Sequence, residues 1–177
     1  VFPGADDRPV SEASALADEL VRKLGLNFAL VHAGLHKLCY ALEAIARGAS
    51  VTVVTGPADF AMPDGALVIP VETAAHMAEA VVNLAQDADV FIGAAAVADY
   101  RVENPSDSKR KKTGKKLELL LVENPDVLGL VGAVKRAKQI LVGFAAETDD
   151  LLANAAAKLK KKQLDLIVAN EVNTDAS

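Results

Sequence analysis

Apolar and polar residues alternate along the chain in blocks that change period, and the changes mark its elements. Residues 11–24 place Leu16, Leu20, Val21 and Leu24 at helical spacing, with Gly25 as a stop. A short apolar run at 26–32 reads as a buried strand. Residues 37–47 read as a helix ended by Gly48, and Val51, Thr52, Val53 and Val54 as a β-branched strand closed by Thr55-Gly56-Pro57. That strand–helix–strand order is the mark of a parallel sheet. The alternation continues with a strand at 66–71, a helix at 74–85, a strand at 90–96 and a further candidate strand at 116–122. A helix at 125–138, a strand at 139–144, a helix at 149–162 and a strand at 165–169 complete it. Only the polar connection 97–115, about 19 residues, breaks the rhythm; long connections in compact domains are commonly functional.

The expectation is a doubly wound α/β fold: a mostly parallel, Rossmann-like sheet with helices on both faces. In such sheets ligands lie beyond the C-terminal strand ends, where the strand order reverses. That rule directs attention to residues 93–99, to the helix start at Asn124 and to residues 143–148.

Composition narrows the function more than the fold. Aromatic residues make up 4% of the chain and tryptophan is absent, so the core is built from Ala, Val, Leu and Ile, as suits a parallel sheet. A formal charge of −5 argues against general nucleic-acid binding. Cys39 is the single cysteine, which excludes an internal disulfide and a thiolate zinc cluster and fits a reducing cytoplasm. No apolar run reaches the length of a membrane span, and no secretory signal is expected. The sequence has the look of a fragment, with no Met at its start.

The chemistry is concentrated in a few places. Neither a dinucleotide glycine fingerprint nor a P-loop is present, and Gly34 to Lys37 offers only a weak phosphate turn. At 93–98 the small residues Gly93, Ala94 and Ala95 end a strand where a ligand can approach the backbone closely; tight packing under a helix would select the same residues. Asp99 follows, placed to accept from sugar hydroxyls or to stand in solvent. Residues 109–116 carry six cations in eight positions, either a solvated loop or the counterpart of an anion. Asn124-Pro125-Asp126 starts a helix, with Asn124 as expected N-cap and Pro125 in the first turn, and free amides there can receive an anion. Lys158 and Lys162 share a helical face but also suit the end of a helix dipole. Phe144 is either a stacking ring or core. His32, His36 and His76 show no metal-ligand spacing, and no metal-binding residue is assigned.

Several motifs in order resemble the phosphopantothenoylcysteine synthetase family, which in bacteria is often fused behind a flavin-dependent decarboxylase. They are Ala46-Arg47-Gly48-Ala49 ahead of the strand at 51–54, Ala94 through Arg101, the K-x-K-K element at Lys109 to Lys112, and Glu123 through Val127. Val142 through Thr148 and Leu164 through Asn170 complete the set. The resemblance covers residues 40–172 and implies two parts: an unmatched segment at 1–31 and a nucleotide-binding domain at 32–177. It further implies that Gly93, Ala94, Ala95 and Asp99 line a CTP site. Lys109 would meet the triphosphate as the catalytic cation, and Asn124, Pro125, Asp126 and Val127 would contact the nucleotide. Phe144, Lys158 and Lys162 would close the site.

The implied activity is ligation of 4'-phosphopantothenate to L-cysteine through an acyl-cytidylate in coenzyme A biosynthesis, with CTP as co-substrate and Mg2+ as cofactor. FMN is expected only with a fused decarboxylase domain. A cytoplasmic homodimer is implied, with no nucleic-acid or membrane partner. The sequence departs from the family where S-N-R-S-S-G-K-M-G is usual: His32-Ala33-Gly34-Leu35-His36-Lys37 stands there. A catalytically impaired nucleotide-binding module of the same fold is therefore the alternative. An NADPH reductase, its lysine run facing the 2'-phosphate, is a third.

Overall fold

The computed structural model describes residues 27–32, 38–59, 61–106, 108–112, 114, 116–147 and 150–171. The helix expected at 11–24, the turn at Gly34 to Lys37, Thr148 and the residues after Glu171 lie outside the described residues.

Six parallel strands form one sheet in the order β3-β2-β1-β4-β7-β8. They are β1 (Asn27–His32), β2 (Ser50–Thr55), β3 (Ala66–Pro70), β4 (Val90–Gly93), β7 (Ile140–Glu147) and β8 (Leu166–Glu171). Two short strands, β5 (Tyr100–Val102) and β6 (Leu121–Glu123), pair antiparallel with each other as a separate arm. The helices are α1 (Leu38–Ala46), α2 (Ala74–Ala85), α3 (Val127–Ala133) and α4 (Leu151–Lys161). Counting only the six sheet strands, this is the doubly wound 3-2-1-4-5-6 order, and the reversal falls between β1 and β4. The central strand begins at Asn27, within the segment 1–31 that the resemblance leaves unmatched.

Successive side chains on a strand point to opposite faces, and the core divides accordingly. On one face Leu30, Val53, Val90, Ile92 and Val142 pack against Tyr40, Ala41 and Ala44 of α1. On the other, Val54, Phe91 and Leu141 pack against Met77, Ala78 and Val81 of α2 and against Val127 and Val131 of α3. Because both faces are covered, the central strands read as continuous apolar runs. Val53, Val90, Phe91, Leu141 and Val142 are completely buried, each worth about 1.5–3 kcal/mol relative to exposure.

Local chemistry sets the ends of the elements. Gly48, with φ at 83°, turns the chain out of α1 as expected, a conformation that side chains disfavour. Thr73 caps α2 by accepting from the His76 amide at 3.1 Å. The third helix is shorter than the expected 125–138. Gln139 is buried and donates to the carbonyls of Ala85 and Ala88 at 2.6 and 2.7 Å. Its Oε1 also accepts from the Arg136 amide at 3.3 Å. Satisfying that buried amide draws residues 134–139 off the helical path. The expected strand at 90–96 ends at Gly93, and residues 94–98 continue as a loop.

Candidate functional site

Beyond the C-terminal ends of β4 and β7 lies a cavity of about 500 Å3. Its floor is Phe91, Gly93 and Ala95. One side is the loop Val97, Ala98 and Asp99 with Tyr100 of the arm, and another is Glu123 with the start of α3 through Leu128. The last turn of α4 closes it with Lys158, Lys161 and Lys162, and Phe144 completes the lining. Two further cavities continue along the same edge of the sheet. The first, about 220 Å3, is lined by Ala95 to Ala98 and Asn124 on one side and by Gly56, Glu72, Thr73 and Met77 on the other. The second, about 680 Å3, lies over the ends of β2 and β3, among Thr55, Pro57, Met62, Glu72 and His76.

Ten of the expected site residues share the first cavity: Gly93, Ala95, Asp99, Asn124, Pro125, Asp126, Val127, Phe144, Lys158 and Lys162. Two do not. Ala94 is buried with the α1-face core, because it follows Gly93 on the opposite side of the chain. Lys109, given the catalytic role, is exposed on the connection between β5 and β6 and lines none of the three cavities. The described cations of the run, Lys109, Arg110, Lys111, Lys112 and Lys116, are all exposed.

The helix start is also corrected. Asp126, not Asn124, is the N-cap of α3, accepting from the Gly129 amide at 3.1 Å. Asn124 instead staples the loop to the arm. Its backbone N–H donates to Asp99 O at 2.7 Å and its side-chain amide to Ala98 O at 2.8 Å. Arg101 donates to Glu123 O at 2.5 Å and to Asn124 Oδ1 at 3.3 Å. Phe144 meets Tyr40 edge to face with centroids 5.4 Å apart, so its ring is engaged in core packing against α1. The small size of Gly93 answers to α3: a Cβ there would lie 2.7 Å from Leu128 Cδ1.

Electrostatically the cavity is divided. Its cations all come from α4, and its carboxylates Asp99, Glu123 and Asp126 from the loop, arm and α3. Lys162 Nζ donates to Asp126 Oδ1 at 2.8 Å. Burial pushes the Asp126 carboxyl up, but the bonds from Lys162 and Gly129 and the charges of Lys162 and Lys161 outweigh it. Its pKa lies below the ordinary value of 3.8. Lys161 had not been singled out in the sequence. The signal was present, since Lys158 and Lys161 are three apart and face the same way on a helix. Tyr100 and Glu123, which lie in the motifs at 94–101 and 123–127 but were given no role there, also line the cavity, as does Leu128.

With that geometry described, comparison with known proteins places the chain. Residues 32–177 match the family model described as DNA/pantothenate metabolism flavoprotein C-terminal domain. The chain belongs to this family. The "Coenzyme A biosynthesis bifunctional protein CoaBC" of Vibrio vulnificus is 42% identical over 143 residues, covering 78% of this chain and 36% of that protein. The protein of the same name from Bacillus subtilis is 43% identical over 144 residues, covering 80% and 35%. The chain thus spans about a third of the length of these relatives. Among solved structures, the C-terminal domain of coenzyme A biosynthesis bifunctional protein CoaBC aligns with a TM-score of 0.69 at 32% identity, covering 82% of this chain and 77% of that one. The DNA/pantothenate metabolism flavoprotein from Streptococcus pneumoniae aligns at 0.69 with 18% identity and supports the fold.

The expected assignment to the phosphopantothenoylcysteine synthetase family is corrected by this match to the pantothenate metabolism flavoprotein family. With it falls CTP-dependent ligase activity, in both its active and its impaired form. The names and description of the matched proteins give a flavoprotein and a biosynthetic pathway, and no ligase, CTP or Mg2+. Among the described residues no helix is long and apolar enough to cross a membrane.

Proposed function

We propose that the first cavity binds a phosphate-bearing small molecule of coenzyme A biosynthesis, with the α4 lysines as its phosphate site. The observation that carries this reading is the gathering of Lys158, Lys161 and Lys162 on one wall of a cavity at the C-terminal edge of a doubly wound sheet. Lysine meets phosphate as a mobile point charge, and Lys158 and Lys161, beside a Lys162 already paired with Asp126, suit a dianion. The pathway comes from the relatives' names and the family's description. 4'-Phosphopantothenate is the first candidate, with L-cysteine as the companion small molecule.

The family description also brings FMN forward as a cofactor. The residues present fit its phosphate and hydroxylated chain. FMN would place its phosphate on the same Lys158 and Lys161 and so compete with 4'-phosphopantothenate for them, with Asp99 beside its hydroxyls and Val97 and Leu128 as apolar neighbours. Bound there, FMN would supply a reversible electron acceptor. The chain's own part is to neutralise the phosphate, fix the arm through Asn124, and keep Lys162 oriented by Asp126.

The test is calorimetric titration with 4'-phosphopantothenate, and flavin fluorescence with FMN, using wild type and Lys161→Ala. Loss of one phosphate-facing cation is expected to weaken binding about tenfold, roughly 1.4 kcal/mol. Unchanged affinity in a Lys158→Ala/Lys161→Ala double variant would remove the lysines from the site and overturn the reading. As second copy of the chain we propose a homodimer partner, supported by the row of exposed leucines on the arm, Leu117, Leu119, Leu120 and Leu121.

A further inference from the structure

The lysine wall of the first cavity is carried on the last turn of α4, and the backbone of that turn rests on α3. Gly132, buried on α3, faces the carbonyl group of Lys162. A Cβ added at Gly132 would lie 3.1 Å from the Lys162 carbonyl carbon and closer still to its oxygen. A flexible side chain can swing away from such an approach. A backbone carbonyl moves only with the turn that carries it.

Lys162 thereby lies along α3. Its carbonyl sits at Gly132, and its Nζ donates to Asp126 Oδ1 at 2.8 Å, at the opposite end of the helix. Six residues of helix, about 9 Å, separate the two contacts. That span leaves the side chain little slack, so a backbone displaced from Gly132 draws the ammonium off the carboxylate.

The turn is held from its other side as well. Leu164 N–H donates to Leu159 O at 2.9 Å and Gln163 N–H to Lys160 O at 3.4 Å, the paired closure that ends a helix through one left-handed residue. That residue is Gln163, with φ at 54°, where glycine is the usual occupant. Beyond it Leu164 is buried, and a Cβ at Gly143 of β7 would lie 2.7 Å from its Cδ1. The turn is thus gripped between α3 and the sheet, with Lys158, Lys161 and Lys162 directed into the cavity.

We propose that Gly132 is a positioning residue of the cavity: its missing side chain lets the last turn of α4 settle on α3, and so fixes where Lys158 and Lys161 meet an anion. This rests on the phosphate reading of the cavity and adds what holds its cations in place. Gly132 is not part of the cavity lining, so it acts through the Lys162 backbone. An alanine there lifts the turn, parts Lys162 from Asp126 and carries the other two lysines with it.

The experiment reads two quantities: affinity for 4'-phosphopantothenate by calorimetry, and the titration of Asp126 by carboxyl NMR. Gly132→Ala is expected to weaken binding about tenfold, as Lys161→Ala does. It should also raise the Asp126 pKa from its depressed position, as the Lys162 bond is lost. Gln163→Val forces a β-branched residue into the left-handed region and should shift both readings the same way. Val53→Ala is the stability control: it hollows the core on the α1 face and should lower the melting temperature with both readings unchanged. Equal shifts in Val53→Ala would mean general loosening and overturn the proposal. A folded Gly132→Ala with wild-type affinity and wild-type Asp126 titration overturns it too. Where that variant does not fold, wild-type readings in Gln163→Val do the same. Affinity indifferent to Lys158→Ala/Lys161→Ala overturns the phosphate reading instead, and the Asp126 titration then still decides whether Gly132 seats Lys162.

Discussion

The strand β4 and the arm segment 117–123, which ends in β6, are built from similar residues and meet opposite fates. Val90, Phe91 and Ile92 of β4 are buried between two neighbours and two layers of helix. Residues 117–122 read Leu-Glu-Leu-Leu-Leu-Val, no less apolar, yet Leu120 is 67% exposed and β6 has β5 as its one partner. Burial is thus a property of the neighbours and not of the strand. A two-stranded ribbon has no second layer to bury its apolar side chains, and stands only if something ties it down. Here the tie is Asn124 with Arg101.

Substitutions can break this comparison, and the largest effect is expected in the sheet. Leu141→Ala should cost about 2–5 kcal/mol in denaturant unfolding, since the side chain is fully buried. Leu120→Ala should change monomer stability by no more than about 0.5 kcal/mol. A cost above about 1.5 kcal/mol at Leu120 that grows with protein concentration would show that a second copy buries the arm, and light scattering on the same samples would give the dimer mass.

A smaller effect is expected where the arm joins the sheet. Asn124→Ala removes the side-chain bonds to Ala98 and Arg101 and should cost about 1–2 kcal/mol. Hydrogen exchange should speed up at residues 98–102 and stay unchanged in β4; equal protection in both would mean that the arm holds itself. Thr73→Ala, away from the arm, should cost about 1 kcal/mol through loss of the α2 cap.

The smallest effect is electrostatic. The Asp126 pKa is depressed in the folded state, so its contribution is fully present above its ordinary 3.8 and is lost as pH falls through the folded value. Asp126→Asn should therefore flatten the acid limb of the stability profile and leave its neutral region little changed, because the pair is half exposed. An identical acid limb in the variant would remove Asp126 from the linkage.

Against these contrasts, what could be read in the sequence has a physical pattern. The sheet strands and helices were legible because burial on both faces forces long apolar runs, and because Gly48 and the Gly56-Pro57 pair punctuate them. β5 was not legible. Tyr100-Arg101-Val102 carries no run, and its pairing is set by the Asn124 bonds across more than twenty positions. The cap of α3 was misplaced by two residues because Asn and Asp have similar capping ability. Only the three-dimensional fold shows that Asn124 is needed by the loop at Ala98. For the cavity, residues at strand ends and on the lysine face of α4 were found by position in the fold. Lys109 was placed by the family resemblance, and in the fold it is exposed on the arm and lines none of the three cavities.

The place of β1 bears on how the domain comes together in time. Its two partners are β2, immediately downstream, and β4, which begins only at Val90. A growing chain that has emerged as far as residue 89 carries its central strand with one edge bare, open to pairing with any extended segment. Closing that edge requires a long loop to be drawn in, so the step that completes the sheet should also set its pace. Refolding of the Leu141→Ala and Val53→Ala variants would then differ in rate: the first lies on the half that docks late, the second on the half that can zip up locally.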